Sequence, residues 1–333
     1  MKRLGNIFDQ AFTQDALYDA YLQARRTKRG KAACMRFAAR LGAEVSALRE
    51  EIMSGTYKPR AYREFMVAKP KPRKILAPDF RDVVVQHAIY KVIYPVFDRS
   101  FIDQSFACRI GKGTHRASDY ALRALRTCDP ESYLLKLDVR KFFYSIDREI
   151  LRSLIARKVK DGRMLAVIAL FTGGPGDVGI PIGNLLSQLF ALIYLNEADH
   201  YAKRQLKLRN YVRYVDDMVM FGMGRDEAVE VKEAMEEFLA TRLRLNLSHW
   251  SLGKVRDGVN FVGYRTWPWG RLVRRYSLHK FNRAVARNKD ATAWSLIAHA
   301  KDTASMGHIG RALAANEEMF NRLPQAHKAR IAA

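Results

Sequence analysis

Apolar residues recur at helical spacing from about Phe12 to Ile52, at Ala16-Leu17, Ala20-Tyr21-Leu22, Phe37-Ala38, Leu41 and Val45 to Leu48. The basic run Arg25-Arg26-Thr27-Lys28-Arg29-Gly30-Lys31 splits this region into two helices, and Gly55 and Pro59 close it. Arg63 to Ala68 then reads as extended. It is followed by the Pro-stiffened basic turn Lys69-Pro70-Lys71-Pro72-Arg73-Lys74 and by the strand-like Ile75-Leu76-Ala77. A helix begins near Asp79, its N-cap, and runs through Val83-Val84-Val85, Ala88-Ile89 and Val92-Ile93. Further helices are expected over Thr114 to Arg126, Asp147 to Val159, Asn184 to Ala198 and Asp226 to Leu243. Gly173-Gly174-Pro175-Gly176-Asp177 reads as a turn-rich loop, Val259 to Tyr264 as a strand, and the tail from Val273 as basic and helical.

Two short apolar stretches carry carboxylates. Leu134-Leu135-Lys136-Leu137-Asp138-Val139 reads as a buried strand with one acid near its end, and Phe142-Phe143-Tyr144 follows at once. Tyr211-Val212-Arg213-Tyr214-Val215-Asp216-Asp217 runs on into Met218-Val219-Met220-Phe221. Adjacent acids in such a run are costly unless partnered. A hairpin turn would account for Asp216-Asp217 alone. With Asp138 on a neighbouring strand, the three acids could instead hold two Mg²⁺ ions for an in-line phosphoryl displacement.

Composition narrows the partner. The chain has 333 residues, 48% of them hydrophobic, enough for a sizeable core in two or three subdomains. Its 58 Lys and Arg against 34 Asp and Glu give a net charge of +24, so a polyanion is expected, nucleic acid first. No stretch reaches the roughly 18 unbroken apolar residues of a membrane span, and the N-terminus shows no signal-peptide core. Cys34, Cys108 and Cys128 show neither zinc spacing nor a disulfide framework, which fits a reducing cytoplasm. Gly111-Lys112-Gly113-Thr114-His115 looks like a phosphate cradle without the spacing of an NTPase P-loop.

Taken in order, these elements resemble a reverse transcriptase over nearly the whole length. The resemblance implies an α+β, right-hand polymerase fold with fingers, a palm whose antiparallel sheet carries the acidic triad, and a short helical thumb. It implies a helical extension over 1–60, fingers over 61–130, a palm over 131–265 with an interleaved fingers segment at about 160–195, and a basic thumb over 266–333. Asp138, Asp216 and Asp217 would be the catalytic, metal-binding triad, with the Val139 carbonyl joining them around two Mg²⁺ ions, or Mn²⁺ in their place. Phe143, five residues after Asp138, stands where the family places its steric gate against a ribose 2′-hydroxyl. Phe142 is expected to be a core aromatic.

The same resemblance assigns Arg73, Lys74 and Arg81 to the incoming triphosphate, where a bidentate Arg or a flexible Lys suits phosphate oxygens. Arg109, Lys112 and His115 would assist the template, and Phe261, Gly263 and Tyr264 would form the primer grip. Lys254 is a candidate general acid for pyrophosphate. Ile182-Gly183-Asn184-Leu185-Leu186-Ser187-Gln188 departs from the usual block, which starts Gln-Gly and ends Ser-Pro. An apolar residue first and Ser-Gln last is similar to diversity-generating retroelement enzymes, as are Arg63-Glu64-Phe65, Lys71-Pro72-Arg73 and Ser248-His249-Trp250 with Asn260-Phe261. Ile182 and Gln188 therefore count as nucleotide-binding candidates.

That subclass implies adenine-mutagenic cDNA synthesis from a template-repeat RNA. Its partners would be template RNA, a DNA or RNA primer, dNTPs and a basic, oligomeric accessory variability protein, in a bacterial, archaeal or phage-encoded cytoplasmic system with no membrane. A phage-defence or other bacterial reverse transcriptase remains open, as does a non-catalytic RNA-binding scaffold on the same fold.

Overall fold

The computed structural model describes residues 3–68, 72–173 and 176–332. Lys69, Pro70 and Lys71 of the basic turn, and Gly174 and Pro175 of the later loop, lie outside the described residues. The chain forms two compact units that interleave along the sequence. The first comprises Met1–Asp103, Val139–Gln205 and Met235–Ser248; the second comprises Gln104–Asp138, Leu206–Ala234 and His249–Ala333.

The first unit is mostly helical. Gln14–Ala24, Leu41–Met53 and Phe80–Asp98 bury Leu17, Ala20, Ala24, Val45, Leu48, Val84, Val85 and Ile89. Tyr21 stacks on Phe37 with centroids 5.6 Å apart, and both rings meet Phe80 edge-on. Asp79 caps the third helix as expected, its carboxylate accepting from Arg81 N at 3.0 Å. The exposed strand β1 (Arg63–Val67) pairs antiparallel with β2 (Arg73–Ala77), whose last three residues are half-buried, with Met66 opposite Lys74 and Glu64 opposite Leu76. The long helix Leu185–His200 is buried on nearly every side, which explains its all-round apolar sequence.

The second unit holds all but the last residue of β3 (Tyr133–Val139), β4 (Asn210–Tyr214), β5 (Asp217–Met223) and, from His249, β6 (Leu247–Lys254); the strand order is β4-β5-β3-β6. Helix Thr114–Thr127 lays Ala117, Ala121, Ala124 and Leu125 against Leu134, Val212, Val219 and Phe221 of this sheet. Its alanines let helix and strands approach closely. Each large apolar side chain buried this way contributes about 1.5–3 kcal/mol.

Val259 to Tyr264 is not one strand. It is β7 (Val259–Phe261) and β8 (Tyr264–Trp267) joined at Val262-Gly263, with φ of 43° and 92°. Two successive positive φ values match the turn that a right-twisted hairpin requires. A β-branched Val262 hides that turn from a pattern reading. Strand β9 (Gly270–Val273) completes this sheet, and the helices from Arg275 to Ala332 enclose a separate core of Phe281, Ile297, Ile309, Leu313 and Met319. Among the described residues, no helix is long and apolar enough to cross a membrane.

Candidate active site

The register of β3 against β5 places Asp138 directly opposite Asp217. Tyr214 also pairs with Asp217 across β4 and β5, so Val215 and Asp216 form a two-residue turn. Asp138, nearly 80 positions upstream, thus faces Asp217 at one end of one sheet, with Asp216 in the adjoining turn. Opposed residues in an antiparallel pair hold their Cβ atoms about 4.5–5.5 Å apart, and like charges there repel unless a cation intervenes. Val215 takes φ of 56°, a conformation that costs a β-branched residue on the order of 1–3 kcal/mol. Arg213 restrains the turn: its Nη1 donates to Val215 O at 2.9 Å, and its Nη2 donates to Ser105 Oγ at 3.1 Å. Arg213 is only 1% exposed, the largest fully buried side chain described.

Lys136 supplies positive charge at the acids. Its Nζ stands 2.9 Å from Asp217 Oδ1 and donates to Asn260 O at 3.1 Å. The approach to Asp217 is electrostatic and not aligned as a hydrogen bond, so Oδ1 is buried without an aligned donor. A buried carboxylate oxygen left this way, facing a second carboxylate, fits a hard divalent cation with oxygen ligands. Among the described residues, no three His, Cys, Asp or Glu side chains already stand in a cation-holding group.

The loop before helix Thr114–Thr127 is pinned to β4. Arg213 N donates to Gln104 O, and Phe106 N donates to Arg213 O. Arg109 Nη1 donates to Ser105 O at 3.0 Å, and the Lys112 ammonium lies 5.0 Å from the Phe106 ring centre. His115 faces Tyr264, whose hydroxyl donates to His299 O at 2.6 Å and stands 3.3 Å from His115 Nδ1. Burial pushes the Tyr264 phenol up to about 12 and the His299 imidazole down. Phe261 and Tyr264 are core side chains, so the accessible part of that segment is the Val262-Gly263 turn. A side chain at Gly263 would meet His299 Nε2 at 3.0 Å, in a backbone region unsuited to one. Lys254 pairs with Glu131 at 2.5 Å, which occupies its ammonium.

The first unit holds the remaining candidates. Val139, the last residue of β3, is buried, and Phe142 packs in the core near Tyr194. Phe143 is half-buried, and its carbonyl accepts from Ile180 N. Lys74 pairs with Glu64 at 2.7 Å, and Arg73 is exposed at the start of β2. Arg81 is 6% exposed. Its guanidinium lies 2.6 Å from Glu51 and over the Tyr57 ring, so it fastens the N-terminal helices. Next to it, buried Asp82 accepts from Tyr57 Oη and Arg60 N, and burial raises its carboxyl pKa.

Ile182 is half-buried and Gln188 exposed. Ile182 O accepts from Leu76 N at 2.8 Å, which ties this block to β2. Gly183 has φ of 127°, and a Cβ there would lie 2.6 Å from Leu76 O. Gln86, fully buried, caps the long helix through Leu185 N, and Tyr62 Oη accepts from Asn184. Gln86, Lys136 and Arg213 were not singled out from the sequence. The available signal was a polar or charged residue inside each apolar run.

Residues 64–266, more than half of the chain, match the family model described as reverse transcriptase (RNA-dependent DNA polymerase). The chain belongs to the reverse transcriptase family. It is 26% identical to Protein YkfC of Escherichia coli, over 74% of this chain and 76% of that protein. It is 28% identical to the group II intron-encoded protein LtrA of Lactococcus lactis, over 50% of this chain and 29% of that protein. Nuclear intron maturase 4 of Arabidopsis thaliana is 30% identical over 46% of this chain. A solved structure of telomerase from Candida albicans, in complex with a fragment of telomeric RNA, matches with a TM-score of 0.52 at 13% identity, over 79% of this chain and 55% of that one. The chain thus spans under a third of LtrA and just over half of the telomerase chain. The family and the shared architecture establish an α+β right-hand polymerase fold with an antiparallel sheet.

Proposed function

We propose that the chain is an RNA-directed DNA polymerase working through Asp138, Asp216 and Asp217. The observation that carries this reading is the β3–β5 register, which opposes Asp138 and Asp217 beside the strained turn bearing Asp216. Membership of a family of RNA-dependent DNA polymerases supports it. Divalent ions, Mg²⁺ or Mn²⁺, held by these carboxylates and the Val139 carbonyl, would supply Lewis-acid activation of a primer hydroxyl and charge relief at pyrophosphate. Arg213 holds the turn, and Lys136 offsets carboxylate repulsion. Phe143 would exclude a ribose 2′-hydroxyl. Arg73 and Lys74 would meet the triphosphate, while Arg81 would keep the fingers helices in place. Residues 1–60 form the helical extension in this reading, 61–130 with about 160–195 the fingers, the rest of 131–265 the palm, and 266–333 the thumb. Primer extension on an RNA template, comparing wild type with Asp216→Ala/Asp217→Ala, tests it. Extension lost in the variant supports the polymerase; extension retained, or absent from both with RNA and partner supplied, refutes it.

The finer reading is an adenine-mutagenic polymerase of a diversity-generating retroelement, aided by a basic accessory protein. Ile182 and Gln188 support it. An apolar residue at the start of the block cannot hydrogen-bond a nucleotide, and losing such a bond lowers discrimination. A group II intron polymerase is the second reading, favoured by the similarity to LtrA and the plant maturase. Sequencing cDNA made by wild type and by Ile182→Gln on one template separates them. Fewer errors at adenine in the variant support the retroelement reading. Low and equal error rates support the intron reading.

A further inference from the structure

We propose that the outer face of the β7-β8-β9 sheet, with the start of the following helix, is a stacking platform for an unpaired segment of RNA. Most of its residues lie beyond Thr266, where the family match ends. The inner face of this sheet is core: Val259, Phe261, Tyr264, Thr266 and Val273 are buried. Alternation sends Arg265, Trp267 and Leu272 to the opposite face. There the Arg265 guanidinium lies 5.3 Å from the Trp267 ring centre. Trp267 stacks on Trp269 at 5.0 Å with planes 16° apart. Trp269 is 65% exposed and Tyr276 is 58% exposed.

A cavity of about 600 Å³ opens on this face, lined among others by Arg265, Trp267, Arg274, Arg275 and Tyr276. Its described lining holds three arginines and no carboxylate. Arg265 is held by Asp257 O and by half-buried Trp267, which leaves the exposed Trp269 ring stacked beneath an open face, with Tyr276, Arg274 and Arg275 near it, as an unpaired base and its phosphate require. Bases stack on the rings regardless of sequence, and guanidinium groups meet the backbone. A protein partner would be expected to bring acids to these arginines without needing flat stacked rings. The aromatic geometry therefore favours nucleic acid, and the family's RNA template favours RNA.

The inference extends the polymerase reading but is tested apart from it, because binding is read without metal or dNTPs. A fluorescein-labelled oligouridylate is titrated with the full chain and followed by anisotropy at several salt concentrations. Trp267→Ala/Trp269→Ala should weaken binding at least about tenfold, while Trp267→Phe/Trp269→Phe should stay within about threefold. Arg274→Gln/Arg275→Gln should lower the log–log salt slope by about 1.4, for two phosphate contacts on a single strand. A 5-iodouridine oligonucleotide should crosslink to Trp267, Trp269 or Tyr276. Melting curves show whether each variant is folded, and the Phe and Gln variants keep the test valid if the Ala pair is not. Unchanged affinity and salt slope with crosslinks mapping elsewhere overturn the platform, as does binding by duplex alone. No extension by the wild type, together with oligouridylate binding that depends on these rings, would count against the polymerase reading only.

Discussion

Replacing Arg213 by Met should loosen the acidic turn while keeping an apolar stem of similar length in the core. Wild-type Arg213 donates to Val215 O at 2.9 Å and to Ser105 Oγ at 3.1 Å from a site that is 1% exposed. A hydrogen bond from a charged donor contributes about 1.5–3 kcal/mol, and its loss strips a donor from the buried Ser105 hydroxyl and from the part-buried Val215 carbonyl. The stem of Met recovers part of the packing. The expected loss of unfolding free energy is about 3–5 kcal/mol, read from urea denaturation. The effect on chemistry is separate. Val215 sits at φ of 56° against its own preference, so a freed turn relaxes and carries Asp216 with it. A displacement near 1 Å at a reacting group costs about 100-fold in rate. Single-nucleotide incorporation, measured where the variant is still folded, should fall by about that factor. Arg213→Lys, which keeps the charge but not the fork, should fall between the two. A stability change under about 1 kcal/mol together with incorporation within threefold of wild type would refute the restraint assigned to Arg213.

Two further effects can be checked by urea denaturation. His87 is held neutral, its pKa pushed down to about 4 by burial and, less, by Lys28. Its native pKa lies below the unfolded value, so the unfolded chain binds the extra proton and stability falls as pH drops from about 6.5 to about 4; allowing for partial exposure the loss is on the order of 1–2 kcal/mol, and His87→Gln should remove it from the wild-type pH profile. Gly183→Ala should destabilise by about 2 kcal/mol or more, because a Cβ at φ of 127° meets Leu76 O at 2.6 Å; an unchanged urea midpoint would show that the 182–184 turn yields freely.

Much of this was readable in the chain. The acids stood out because carboxylates interrupt alternating apolar runs, and pairing β3 with β5 brings them together without any side-chain detail. Asp79 announced its cap, and the apolar run after Asn184 announced a long helix. What stayed hidden depends on partners far apart in sequence. Gln86 reads as an ordinary helical residue until it caps a helix about 100 positions later. Lys136 reads as a strand's outward lysine until Asp217 and Asn260 stand beside it. Arg81 reads as a free phosphate ligand, yet Glu51 and Tyr57 claim it, and their helices carry no mark naming that partner. The Val262-Gly263 turn was masked by a valine in a conformation that valine rarely adopts.

The most direct measurement is single-turnover incorporation of one dNTP onto a DNA primer annealed to RNA, in Mg²⁺, by wild type and by Asp138→Asn. The substitution keeps the side chain's shape and removes only the charge that faces Asp217. Incorporation by the wild type with a loss of about a thousandfold or more in the variant is the predicted result. Equal incorporation by both proteins would contradict the assignment of the chemistry to the acids that β3 and β5 bring together.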